Sequence, residues 1–220
     1  MTAPGGDAPR DPGLEAFVEA VEALLRRHRG TDHVLSPRDF ALVRGWYEAG
    51  VPLATVLVAI DLAFEADPGL SGLGLLRRRM DELAATGPRP SGTPRETERT
   101  SLSEVAERLQ ALRERLLELP GRVAAVPLAE VAELADLVAV ASRPNWDYLR
   151  KRLRHVDEMV AKAAVDALSS AEAEELRREV ERAAERHRDR VEPSALEEAL
   201  LRLVRQRARE KLRLPRVSVD

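Results

Sequence analysis

The sequence predicts an all-α protein, with a small N-terminal helical domain followed by a C-terminal antiparallel helical bundle. Three observations carry that expectation. Leu, Ala, Glu and Arg dominate the 220 residues, and these are strong helix formers. Apolar residues recur at spacings of three and four along most of the chain, which is the period of one helix face. Strand-favouring runs of Val, Ile, Thr and aromatics are nearly absent, and aromatics make up only 3% of the residues.

Residues 1–12 are rich in Gly and Pro and read as a disordered tail. A domain is expected over residues 13–84. Leu14, Phe17, Val18, Val21, Leu24 and Leu25 follow the helical period, and Gly30 stops that helix after a basic last turn. Ser36-Pro37-Arg38-Asp39 opens a second helix, with Ser36 as cap and Pro37 at the first helical position. Phe40, Val43 and Tyr47 are expected on its inner face, extended by Leu42 and Trp46. Gly50 ends it, and Pro52 starts a third helix with Leu53, Val56, Leu57, Ile60 and Phe64 in one stripe. A shorter helix from about Leu73 to Ala84 closes the domain.

Residues 85–100 change character. Thr86 to Pro94 contains no apolar residue and many helix breakers, which marks a linker. A second domain is expected over residues 101–214, with residues 215–220 as a tail. Ser101 and Glu104 have the spacing of a capping box. Leu102, Val105, Leu109, Leu112, Leu116 and Leu119 then alternate spacings of three and four, a seam of the coiled-coil type. Pro120-Gly121 breaks it, and an Ala/Val-rich helix is expected after Pro127. The longest helix is expected from Pro144, with Leu149, Leu153, Val156, Val160, Ala163 and Ala167 inward. Ser169 and Glu172 suggest another capping box. The short turn there implies that the following helix, with Leu176, Val180, Ala183, His187 and Val191, folds back as an antiparallel hairpin. A last helix from Pro193-Ser194 to about Leu214 completes a bundle of about five helices.

Composition narrows the function. A net charge of -3 supplies no general field to draw the chain onto nucleic acid or acidic lipid. The absence of Cys excludes disulfides, thiolate metal sites and thiol catalysis. The longest apolar run, Val51 to Ile60, is half the length of a membrane-spanning helix. A cytoplasmic, non-membrane protein is the resulting expectation, and the Arg and Ala usage suggests a GC-rich bacterial source.

No catalytic or cofactor motif stands out. His28, His33, His155 and His187 lack the spacings of metal-binding helices and read as surface or edge groups. The glycines at 69, 72 and 74 do not follow a strand, so they read as a loop rather than a phosphate cradle. Most serines are better placed as helix caps than as nucleophiles. The helix-turn-helix reading of Ser36–Phe64 fails on charge. Its second helix carries no Arg, Lys, Asn or Gln, and its charged residues, Asp61 and Glu65, are expected to be exposed and to repel phosphate.

Two basic patches remain as candidate contacts for a partner or for nucleic acid. One is Arg150, Lys151, Arg152 and Arg154, with Arg143, Trp146 and Tyr148 nearby. The other is Arg205, Arg207, Arg209, Lys211 and Arg213, with Arg202 and Arg216 flanking it.

Leu35-Ser36-Pro37-Arg38-Asp39-Phe40, followed by Trp46-Tyr47-Glu48-Ala49-Gly50-Val51-Pro52-Leu53, Val56 and Ala59-Ile60, resembles a pattern in uncharacterised helical proteins of GC-rich bacteria. Leu214-Pro215-Arg216-Val217-Ser218 is similar to their ending. The N-terminal stretch also resembles the helical domain of DnaD-type replication initiation proteins. That resemblance implies a similar helical packing. The family's Tyr-Ile and Trp motif for DNA has no counterpart in Leu73–Leu83, which contains neither Tyr nor Trp. Taken together, these readings favour a non-enzymatic protein–protein interaction or adaptor protein without cofactors, acting on a protein partner or as a homo-oligomer. The alternative is a nucleic-acid-associated accessory factor that uses the basic C-terminal helix.

Overall fold

The structure is a computed structural model that describes residues 13–30, 35–70, 72–84, 101–141 and 145–217. All regular elements among these residues are helical: α1 (Leu14–Arg29), α2 (Pro37–Glu48), α3 (Leu53–Ala66), a 3-10 turn (Leu73–Leu76), α4 (Arg77–Ala84), α5 (Leu102–Leu116), α6 (Gly121–Val140), α7 (Trp146–Ala167), α8 (Ser170–Glu185) and α9 (Pro193–Lys211). The protein is all-α. The expected tail at 1–12, the whole of the linker at 85–100, and His33, Arg143 and Pro144 lie outside the described residues.

The helix boundaries follow local chemistry. Gly30 takes the left-handed conformation at φ 62° that closes α1, and its N–H reaches the Arg26 carbonyl at 2.9 Å. Ser36 caps α2 by accepting from the Asp39 N–H at 3.1 Å. Ser101 and Glu104 form the reciprocal capping box that starts α5. Asn145 caps α7 by accepting from the Tyr148 N–H at 3.1 Å, so this helix begins at Trp146.

The described residues fall into two compact units. One draws on Met1–Pro90 together with Glu179–Leu200, the other on Ser91–Arg178 together with Leu201–Asp220. In the first, Phe17, Val21, Leu24, Val43, Trp46, Ile60, Leu73 and Met80 are buried. In the second, the α5 seam of Val105, Leu109, Leu112 and Leu116 is buried with Val131 and Leu134 of α6 and Leu149, Leu153, Val156 and Val160 of α7. Each buried Leu of this kind contributes roughly 2 kcal/mol by leaving water.

Several expectations need correction. Phe40 is 39% exposed, and Asp39 takes the buried place beside Val43 and Trp46. α6 begins at Gly121 and runs through Pro127. Pro127 cannot donate to the Val123 carbonyl, a loss of about 3 kcal/mol. Burial of Ala124, Pro127, Val131, Leu134 and Val138 along one face offsets it.

α5 packs along α6 and α6 along α7, and Leu176 in the N-terminal half of α8 packs against the same core. Val180, Ala183 and Ala184 in the C-terminal half of α8 are buried in the first unit. Residues 215–217 are not a loose tail either, because Leu214 and Val217 are buried in the core of the second unit.

Candidate functional site

The first unit holds a buried carboxylate that periodicity alone placed at the surface. Asp61 of α3 is fully buried, flanked by Ile60, Leu62 and Phe64. Its two oxygens take two imidazoles. His28 Nε2 of α1 meets Oδ1, and His187 Nε2 meets Oδ2 at 2.7 Å. The His28 ring stacks on Phe64 with centroids 4.4 Å apart. Arg186 Nη1 stands 3.7 Å from Asp61 Oδ2, and its Nη2 pairs with Glu65.

Burial alone would raise the Asp61 carboxyl above its ordinary value. Hydrogen bonds from His187 and His28 outweigh that effect and lower it. His187 is itself buried, and its Nδ1 has no hydrogen-bond partner. Both carboxylate oxygens are thus engaged, so the group holds α1, α3 and the segment after α8 together. The Nε2 atoms of both imidazoles converge on the Asp61 carboxylate. No group of three or more His, Asp or Glu among the described residues is placed to hold a metal.

A second buried carboxylate lies in the other unit. Asp157 of α7 pairs with Arg209 of α9 through Oδ1 and with Arg216 Nη2 through Oδ2 at 2.7 Å. Arg209 also donates to the Pro215 carbonyl at 2.6 Å. Burial raises the Asp157 carboxyl, while Arg209 and Arg216 lower it below its ordinary value, and the guanidinium effect prevails.

These contacts redefine the basic patches. Arg209 is buried, so it faces Asp157 and not a solvent-side ligand. Arg205 and Arg207 are half-buried, and Arg207 lies 3.8 Å from Glu210. Lys211 reaches Glu172 at 2.9 Å and, with Ser169, holds that carboxyl down to about 2. The exposed Arg213 accepts at its carbonyl from Arg115. The last helix is therefore no open cationic stripe.

On α7 the picture differs. Arg152 is half-buried and binds Glu130 at 3.0 Å and Glu133 at 3.2 Å. Arg150 pairs with Asp147 at 2.7 Å. Lys151 and Arg154 are exposed, with no carboxylate partner among the described residues. Trp146 packs against the core while Tyr148 is exposed, so the two rings do not form one stacking platform.

One surface remains that the sequence analysis did not single out. The outward face of α6 carries Val126 (64% exposed), Leu137 (37%) and Val140 (83%), interspersed with Arg122, Ala129, Glu133 and Asp136. The signal was available, since α6 has apolar residues on both faces, more than one inward stripe requires. No helix among the described residues is long and apolar enough to cross a membrane.

No protein-family model, no curated protein and no solved structure matches this chain.

Proposed function

We propose that this protein acts by associating with protein through the outer face of α6, without chemistry of its own. The exposure of Val126, Leu137 and Val140 on a helix whose other face is fully packed carries this reading. Exposed apolar side chains of this kind cost free energy in water and gain it on being covered. The buried polar clusters support the same view, because their hydrogen-bonding capacity is directed inward to hold helices.

A second reading, contact with nucleic acid, rests on the exposed Lys151 and Arg154 of α7. It receives no support from Arg209, which is consumed by Asp157.

The full wild-type chain and a Val126→Lys/Val140→Lys variant, each immobilised and exposed to extract of the native host at low and high salt, separate these readings. Association through α6 retains proteins at both salt concentrations on the wild type and loses them on the variant, with unchanged circular dichroism. Identical retention by the variant would sink the proposal. Capture that fails steeply with salt and is removed by nuclease favours the nucleic-acid reading instead.

A further inference from the structure

We infer that the occupant of the α6 face is a second copy of this chain, packed antiparallel across a two-fold axis at Ala129. The inference rests on the association reading above and names its partner.

The charges on this face carry the argument. Arg122, Val126, Ala129, Glu133, Asp136 and Val140 recur at spacings of three and four, with Leu137 four residues after Glu133, so they share one side of α6. Arg122 and Asp136 are both exposed, and neither pairs with another described residue. Arg122 lies seven residues before Ala129 and Asp136 seven residues after it, about two helical turns each way.

A second α6 running in the opposite direction and centred on Ala129 therefore places Arg122 of each copy against Asp136 of the other. One two-fold axis forms both ion pairs, which is the self-complementarity an isologous dimer requires. A parallel arrangement would set Arg122 against Arg122 and Asp136 against Asp136. An antiparallel crossing centred on Glu133 would stack two carboxylates. Both are disfavoured by like-charge repulsion.

The small side chain of Ala129 at the crossing permits close approach of the two helices. Val126, about one turn from Ala129 on the same face, is covered at that crossing. Glu133, whose charge is matched by Arg152 at 3.2 Å, lies off the two-fold axis, so the two copies of this carboxylate do not meet.

The test is the mass of the full-length protein in solution, measured by light scattering and sedimentation across a concentration series. The wild type is expected to dimerise. Arg122→Asp and Asp136→Arg are each expected to weaken dimerisation by at least about tenfold. Together in one chain they should restore it, because the pair is re-formed with reversed signs. Circular dichroism and thermal midpoints close to wild type certify the fold of each variant.

A wild type that stays monomeric at all concentrations overturns the inference, as does a dimer indifferent to both reversals or a double variant that fails to recover. If the wild type is monomeric while Val126→Lys/Val140→Lys still abolishes capture of other proteins, the pairing falls and the association reading stands. If the wild type is monomeric and that variant captures as the wild type does, both fall.

Discussion

A carboxylate shut away from water persists only if its lone pairs are met, and Asp61 meets this condition with two imidazoles drawn from residues 28 and 187. Asp61→Ala leaves His187 buried beside an empty space and is expected to lower the unfolding free energy by about 3 kcal/mol, measured by urea denaturation at neutral pH. The pH dependence has a definite sign. The folded-state value of Asp61 is lowered, so its stabilising contribution is complete above the unfolded carboxylate value near 3.9 and is lost as pH falls through the folded value. Asp157 acts in the same direction. Wild-type stability should therefore decline on acidification below about pH 4, and Asp61→Asn should flatten part of that decline. An acid limb unchanged in Asp61→Asn would count against the carboxylate as its source. Neither cluster was legible in the sequence. Helical spacing states that residue 61 lies on α3, but its burial depends on segments 33 and 126 residues away closing over it.

Helix ends were much more legible, because caps are local. Ser36, Ser101 and Ser169 each accept from a backbone N–H three residues on, as their spacing predicts. Ser101→Ala should cost about 1 kcal/mol in a denaturation experiment. Asp39 does more than its place in the capping motif suggests. Besides bonding Ser36, it accepts from the Leu73 N–H at 2.9 Å and so ties α2 to the 3-10 turn. Asp39→Ala is therefore expected to cost about 2 kcal/mol, more than the loss of an exposed cap, measured the same way. α6 gave the opposite outcome. Pro127 read as a helix start because a proline is tolerated there, whereas tertiary burial carries the helix through it.

Across the whole molecule, local composition marks one division of the chain, at the breaker-rich stretch 85–100. The structure returns Glu179–Leu200 to the first unit. Nothing local marks that return, since α8 and α9 continue unbroken in pattern across the boundaries at 178/179 and 200/201. His187 is the buried polar link of the returning segment, so His187→Ala should accelerate amide hydrogen exchange across residues 179–200 and in α3. In the second unit, Arg216→Ala removes one of the two cations on Asp157 and should cost about 2 kcal/mol, with faster exchange in the last turns of α9. Wild-type exchange rates in either variant would show that the ion pair does not secure the segment.

Helical character, most helix ends and the inward-facing leucines are legible in the order of residues alone. Those properties depend on neighbours one to four residues away, and a linear pattern records them. Long-range packing settles the burial of Asp61, Asp157, His187 and Arg209, the place of Leu214 and Val217 in the core, and the exposure of Val126, Leu137 and Val140 on α6. Burial is a property of what packs around a residue, and the chain segments that do so here lie far apart in sequence.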